Sequence, residues 1–310
     1  MANEQSYAAA LSTGGRVARL LSAKIHENLY DPAGLRFLME MVPFAGAQSA
    51  TTQTTKVARG LVAAAATTEV SSGFTNSLIA TTNFDIVVAR YGALVQPTDL
   101  FKMTSDGTGF DLEYLVGILM ECLELNLTDL LTSLFANIAG NVGTSGSDMT
   151  VDDFFDAIYY LNLQNNGAML SSVLHAQQIN DLIESVRGET GPLQFRQDAQ
   201  GLLAPTGVGF KGQLIGVPIY QSDSVPLANA NADRRGCMFA PGAFAYQVAP
   251  VAAMTDGQMI NPADVIFKST EFWIERSRDA LNGMSSLYVN FYPGVAEQED
   301  LRGCRITTDA

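Results

Sequence analysis

A short glycine-rich stretch in the second half of the chain, residues 207–212 (GVGFKG), matches the G-x-G-x-x-G pattern of dinucleotide-binding loops. In a nucleotide site this pattern follows a strand and opens a helix, so that the helix N-terminus faces the pyrophosphate. Here the glycines lead into GQLIGVPIYQ, which alternates in polarity and contains Pro218. The pattern therefore predicts a turn into a strand, and we expect no cofactor at this position.

Residue types that support catalysis are few and scattered. His26 and His175 are the two histidines, and neither has a carboxylate or cysteine at ligand spacing. We therefore predict structural roles for both. Ser171 and Ser172 precede His175, but the G-x-S-x-G elbow of a nucleophilic serine is absent from this stretch.

Acidic residues and cysteines give no metal motif either. Asp152, Asp153 and Asp156 cluster where a helix is predicted to begin, and the helix dipole explains negative charge there. The three cysteines lack the paired spacing of zinc or redox motifs and suit a reducing compartment: they are Cys122, Cys237 and Cys304. We predict no catalytic residue, metal or cofactor, although an active site assembled from dispersed residues stays open.

Composition points to a folded chain with much buried surface. Of the 310 residues, 47% are hydrophobic and 16% are charged, with a net charge of −14. A protein that binds specific DNA sequences or anionic membranes needs a basic face. The negative net charge therefore argues against both classes. The low proportion of charge favours surfaces that are buried against other copies of the chain.

The strongest helical pattern spans residues 111–139, DLEYLVGILMECLELNLTDLLTSLFANIA. Its apolar residues recur three and four positions apart, as on one side of a helix. A membrane span needs about 20 nearly uncharged residues, and Glu121, Glu124 and Asp129 interrupt this one. We therefore predict a long helix that covers a sheet of the same protein, and no membrane contact.

The first half of the chain predicts an arm and an extended segment. A helix is predicted over residues 15–30 and a short one over 32–41, and residues 1–60 carry six basic and four acidic side chains. A basic arm suits docking onto a neighbour's acidic surface, and an ordinary terminal helix explains the pattern equally well. Residues 51–92 are rich in Thr, Ser, Ala and Val and predict two strands joined by a loop.

The second half predicts a compact α/β unit followed by long strands. Helices are predicted over residues 151–161 and 175–187, with strands at 168–174, 213–221, 235–239 and 243–249. Further strands are predicted at 264–268, 272–276, 285–291 and 303–307. The strands after residue 262 need a covering helix, and the helix at 111–139 suits them best. The fold class is therefore predicted as α+β, with the 150–261 unit inserted into a discontinuous body.

This order of parts resembles the major capsid protein of tailed bacteriophages. Residues 209–226, GFKGQLIGVPIYQSDSVP, are similar to a strand motif of that family, with matches at Gly212, Gly216, Pro218, Asp223 and Pro226. Three other stretches also resemble the family: NFDIVVARYGALVQPTDLF, VDDFFDAIYYLNLQNNGAMLSSVLHAQQINDLIESV and FYPGVAEQEDLRGCRI. The resemblance covers nearly the whole chain from about residue 50.

The resemblance implies five parts in a fixed order. They are an N-terminal arm (1–50), an extended loop (51–92), a peripheral domain with its spine helix (93–149), an inserted axial domain (150–261) and the C-terminal peripheral strands (262–310). It implies a structural subunit of a viral head, not an enzyme, that forms hexamers and pentamers. These would build an icosahedral or elongated shell around double-stranded DNA. The expected place is the virion, after assembly in the host cytoplasm.

Implied partners are other copies of the chain, a separate scaffolding protein, a portal, a possible cement protein and non-specifically contacted DNA. The loops 188–210 and 228–236 are expected near the axis of each capsomer. The predicted inter-subunit contacts are Arg16, Arg19, Lys24, Phe74, Leu78, Arg90, Arg234 and Arg235. Some members crosslink through a lysine in the extended loop, but none occurs between Arg59 and Arg90. We therefore expect a non-covalent shell.

Two alternatives stay open at this point. An encapsulin compartment has the same fold but holds an enzyme instead of DNA. An α/β enzyme with dispersed catalytic residues belongs to a different class, and it would be a stable monomer or dimer with a deep polar pocket.

Overall fold

The computed structural model describes residues 35–44, 51–58, 80–96, 112–165, 168–188, 210–250, 265–268, 271–279 and 284–309. Its α-helices are α1 (Leu112–Ser133), α2 (Val151–Asn165) and α3 (Ala176–Gly188). The first strands are β1 (Glu40–Met41), β2 (Thr51–Ala58), β3 (Ala80–Val87), β4 (Tyr91–Val95), β5 (Asn141–Val142), β6 (Ser171–Leu174), β7 (Phe210–Leu214) and β8 (Val217–Gln221). The others are β9 (Leu227–Ala228), β10 (Asp233–Phe239), β11 (Phe244–Val248), β12 (Val265–Lys268), β13 (Phe272–Asp279), β14 (Met284–Phe291), β15 (Pro293–Glu297) and β16 (Gly303–Asp309).

Helix α1 covers an antiparallel sheet of order β12-β13-β14-β4, as the sequence predicts. Leu119, Leu123 and Leu127 on its apolar side are buried in one core with Ile274 and Val289 of the sheet. Since residues three and four apart lie on one side of a helix, this stripe is the side of α1 that faces the sheet. None of the helices in the described ranges is long and apolar enough to cross a membrane.

The predicted helix at 111–139 is correct in place but too long at its end. The α-helix stops at Ser133 and continues as a 3-10 turn over Leu134–Ala136. Arg305, from the far end of the chain, donates to the carbonyl of Ala136 at 3.0 Å. A basic side chain at this position satisfies a carbonyl that the helix end leaves free.

A second core lies under α2 and α3. These helices pack against a mixed seven-stranded sheet of order β5-β16-β10-β6-β8-β7, with β9 paired to β10. The start of α2 forms a capping box, in which the backbone N–H of Asp153 donates to Thr150 Oγ1 and the carboxylate of Asp153 accepts from the Thr150 N–H.

Two strands depart from the predicted division of the chain. Strand β16 was assigned to the peripheral strands, but it pairs along its full length with β10 of the inserted unit. Strand β11, assigned to the inserted unit, pairs with β1 and β15 instead. The alternation that marks a strand does not encode its partner, because strand pairing depends on contacts that are distant in sequence.

The predicted strand at 213–221 is a hairpin of β7 and β8. The chain turns at Ile215 and Gly216, whose φ angles are 53° and 79°. Two successive residues with positive φ form the tight turn that suits the twist of a hairpin. Pro218 predicts an edge strand or a bulge. Strand β8 lies between β6 and β7, and its pairing with β7 is irregular between Phe210 and Gly212.

Candidate subunit interface

The structure describes only some of the predicted contact residues. Arg90, Arg234 and Arg235 lie within the described ranges. The others lie outside them: Arg16, Arg19, Lys24, Phe74, Leu78 and residues 189–209. The helix predicted at 15–30 and the tip of the extended loop also lie outside.

The extended segment forms a two-stranded antiparallel hairpin, as predicted. Strands β2 and β3 pair over eight residues each, from Thr51 opposite Val87 to Ala58 opposite Ala80. Among the strands that the structure describes, this pair joins no third one. A two-stranded hairpin alone is only marginally stable in water. Its outer part therefore needs support from something besides its own pairing.

The root of the hairpin is fixed firmly to the body. Ile86 is fully buried, while its neighbour Val87 is 57% exposed. The backbone N–H of Ala89 donates to the carbonyl of Pro293 at 3.1 Å. A Cβ atom on Gly294 would lie 2.5 Å from the Val87 carbonyl oxygen, so only glycine allows this approach. The body therefore fixes the direction in which the hairpin leaves it.

Arg90 joins the chain after the hairpin to the neighbouring sheet. Its Nε and Nη2 both donate to Oδ1 of Asn290, at 3.2 and 2.7 Å, and Asn290 is buried. Arg90 also lines a shallow depression of about 350 Å³, together with Leu94, Gln96 and Tyr288. The side chain is exposed, so it supports the hairpin from within its own chain while still facing outward.

Arg234 and Arg235 lie at the start of β10 and are half-buried. Arg234 Nη1 donates to the carbonyl of Val225 at 3.0 Å, so this side chain supports its own chain. Arg235 is opposite Thr307 of β16 and close to Arg305. Burial lowers the pKa of Arg305, and the like charge of Arg235 lowers it further.

His175 has the structural role that the sequence predicts for it. Its Nδ1 accepts the backbone N–H of Gln177 at 3.3 Å at the start of α3. Burial lowers the pKa of His175, and the charge of Arg234 lowers it further. Among the described residues, no group of three His, Cys, Asp or Glu side chains could hold a metal ion.

The chain between β9 and β10 is an exposed and strained turn. Asn229, Ala230 and Asn231 have φ angles of 48°, 56° and 72°, which non-glycine residues rarely adopt. The buried carboxylate of Asp233 holds the turn through hydrogen bonds from Asn229 Nδ2 and, at 2.6 Å, from Ser145 Oγ. The hydrogen bond from Ser145 holds the pKa of Asp233 below its usual range. Strain that persists beside a buried anchor marks a candidate contact surface.

Replacing Ala230 with glycine should stabilise the folded chain by about 1 kcal/mol, because glycine adopts positive φ without steric cost. Ala232, in the same exposed turn, has an ordinary φ of −83°. Ala232→Gly should therefore destabilise by about 0.5–1 kcal/mol. Urea unfolding of both variants measures the difference, and equal effects would contradict the strain.

Gly294 and Asp233 were missed by the sequence analysis. A glycine after Pro293 within an alternating strand is a signal for a close backbone approach. It does not reveal which backbone approaches, because Val87 lies far away in sequence. Asp233 carried no signal, since its partners Ser145 and Asn229 depend on the fold.

Comparison with solved structures identifies proteins of the same fold. The holo-SrpI encapsulin of Synechococcus elongatus PCC 7942 is 14% identical with a TM-score of 0.59, over 89% of this chain and 88% of that one. The head structure of Helicobacter pylori bacteriophage KHP40 gives 12% identity and a TM-score of 0.59, over 92% and 91%. The capsid of cyanophage P-SCSP1u gives 12% and 0.58, over 87% and 86%.

The chain has the fold of these proteins. The α+β fold of a tailed-phage major capsid protein, expected from the order of parts, is thereby confirmed. No family model matches the sequence. No curated protein matches it either.

Proposed function

We propose that the chain is the structural subunit of a viral head. It assembles into hexamers and pentamers that form an icosahedral or elongated shell around double-stranded DNA, and it catalyses no reaction. The observation that carries this proposal is the β2–β3 hairpin, which is rooted rigidly in the body while its strands pair only with each other among the described residues. A neighbouring copy would supply the surface that the hairpin lacks.

The fold supports the proposal. Its likeness to phage head and capsid structures extends over 87–92% of the chain. The net charge of −14 is what a wall that repels packed DNA would carry, because a negative surface binds phosphates weakly. The remaining proposed partners are a scaffolding protein, a portal and a cement protein. The protein acts in the virion after assembly in the host cytoplasm.

The predicted contact residues are proposed to contribute unequally to the contacts between subunits. Arg16, Arg19 and Lys24 are proposed to fix the arm to a neighbour, and Phe74 and Leu78 to contact one at the loop tip. Arg90 and Arg235 are proposed to face neighbours. Arg234 contributes less, because its guanidinium group already binds the carbonyl of Val225. The five-part division holds in this proposal if residues 303–309 are counted with the axial sheet and residues 244–248 with the peripheral strands.

Sedimentation velocity of the purified protein, with negative-stain microscopy of any fast fraction, tests the proposal. We expect capsomers or closed shells with diameters of tens of nanometres. A chain that stays monomeric at every salt concentration, and does not respond to a scaffold, would refute it. An α/β enzyme would then be the better hypothesis.

The shell should be held together without covalent bonds. Since residues 60–89 contain no lysine, they cannot form a crosslink through a lysine side chain. Boiling assembled particles in detergent should release a single band near 33.2 kDa. A ladder of multimers on the gel would contradict this prediction.

A second candidate is an encapsulin-type compartment, because one of the solved structures with the same fold is an encapsulin. The contents of purified particles distinguish a viral head from an encapsulin-type compartment. Nuclease-protected double-stranded DNA inside purified particles supports the viral head. Particles that enclose a protein cargo and no DNA support the compartment.

A further inference from the structure

The N-terminal part of the chain enters the body through a short root, residues 35–42. Leu35 and Met39 are buried in the core of α1. The backbone N–H of Leu35 donates to Thr128 Oγ1 of α1 at 3.4 Å. Strand β1 pairs in parallel with β11, and the N–H of Val42 donates to the carbonyl of Tyr246 at 2.9 Å. These contacts attach residues 35–42 to α1 and β11.

Arg36 lies at the centre of this root. Its Nη2 donates to both carboxylate oxygens of Glu271, at 2.6 and 2.7 Å. Its Nε donates to the hydroxyl of Tyr246 at 3.3 Å, and the guanidinium carbon lies 5.2 Å from the centre of that ring. Burial alone would lower the pKa of Arg36, but the hydrogen bonds and charge of Glu271 outweigh it and raise the pKa. Arg36 therefore stays charged.

A second carboxylate, that of Glu124 on α1, lies beside the same cation. Its Oε1 is 3.7 Å from Arg36 Nη1, which is longer than a normal hydrogen bond. Glu124 is only 5% exposed. The cluster thus holds one positive charge and two negative ones, and Glu271 takes the two short hydrogen bonds. Within the described ranges, Arg36 is the cation that ion-pairs with Glu124, and it is shared with Glu271. A buried carboxylate that shares its cation in this way is costly in its charged form.

We propose that the Arg36, Glu124 and Glu271 cluster is a proton-sensitive latch: uptake of a proton by Glu124 holds residues 35–42 more tightly to the body, and its release loosens them. The protonated carboxyl removes the surplus negative charge. Glu271 is then the one charged partner of Arg36 within the cluster. The latch acts at the place where the chain segment before residue 35 joins α1 and β11.

The direction of the pH dependence follows from the groups that surround Glu124. Burial raises its pKa above the usual 4.5, Arg36 opposes this, and Glu271 adds to it. In the described structure the facing charges are Arg36 from the root and Glu271 from the chain before β13, with Tyr246 of β11 behind Arg36. A raised pKa means that the folded state binds the proton more tightly than the unfolded state. The stabilisation is therefore complete below pH 4.5 and is lost as the pH rises through the folded-state pKa.

Hydrogen exchange of the backbone amides in residues 35–42 tests the latch. The full-length protein, kept in one assembly state, is compared at pH 5 and pH 8, with rates divided by the intrinsic rate at each pH. In the native protein, protection should be higher at pH 5 than at pH 8, by on the order of threefold to tenfold. Glu124→Gln, which resembles the protonated form, should remove this difference and exceed the native protection at pH 8.

Glu121→Gln is the matched control. It removes one negative charge from the same helix, but Glu121 is exposed and lies outside the cluster. This variant should keep the native pH dependence. An unchanged pH dependence in Glu124→Gln would overturn the latch. Loss of protection at pH 8 in that variant, or its failure to fold, would also overturn it, since either would show that the charged carboxylate holds the root.

Discussion

Replacing Gln178 with leucine is expected to lower the free energy of unfolding by about 3–5 kcal/mol, because it strips several buried polar groups of their partners. Gln178 is fully buried in α3. Its Nε2 donates to Thr308 Oγ1 at 2.8 Å and to the carbonyl of Ile306 at 3.3 Å. Its Oε1 accepts the backbone N–H of His175 at 3.1 Å. Leucine has nearly the same volume but can satisfy none of them.

Gln177→Leu is the control for this prediction. Gln177 is the adjacent residue of α3 and is only half-buried, so the same change there should alter stability by less than about 0.5 kcal/mol. Urea unfolding of dissociated chains gives both values. Equal losses in the two variants would show that the amide network does not hold α3 on β16. Rescue of Gln178→Leu by Thr308→Val would support the network, because that pair removes a donor and its partner together.

Gln178 also illustrates what the sequence could predict. The apolar period of α3 located the helix, and a glutamine in its first turn suits a capping box with the residue before the helix. The hydrogen bond from the His175 N–H is this local contact, although it was not predicted. Its bonds to Ile306 and Thr308 were beyond prediction, because they depend on β16 joining the sheet of the inserted unit.

Elsewhere in the fold, too, features that depend on neighbouring residues could be predicted, while contacts between distant segments could not. Helices α1 and α2 and the hairpin strands follow from periodicity and short-range chemistry, and all were predicted. Contacts that link distant segments were not. The ion pair of Arg36 with Glu271 spans 235 residues and has no sequence signal. Ile215 shows a further limit, since a β-branched residue at positive φ hides a turn inside an apparent strand.

The contact residues proposed from the resemblance show this limit as well. Arg234 was expected to face a neighbour, and its guanidinium group binds Val225 within the chain. A charged residue in a loop can serve either role, and the sequence does not say which backbone carbonyl lies within reach. The rigid hairpin root is a stronger indication of an interface, because it combines a fixed direction with strands that pair only with each other in the described structure.

Gly294→Ala is expected to reduce assembly strongly while the body stays folded. The new Cβ would lie 2.5 Å from the Val87 carbonyl oxygen and 2.9 Å from Ile86 Cγ2, so the hairpin root has to move. Overpacking of this kind costs about 1–3 kcal/mol. Because Ile86 and Val87 set the direction of the hairpin, a shift at the root is amplified along β2 and β3. We expect a folded body with a strongly reduced yield of fast-sedimenting particles.

Gly188→Ala is the matched control for this variant, because a Cβ atom on Gly188 at the end of α3 meets nothing within 4 Å. It should assemble as the native chain does and change stability by less than about 0.5 kcal/mol. Circular dichroism and urea unfolding follow the body, while sedimentation velocity follows assembly. Native stability in Gly294→Ala would contradict the close approach itself. A loss of stability with normal assembly would instead separate the hairpin from the shell contacts and direct the search for them to the exposed turn at Ala230.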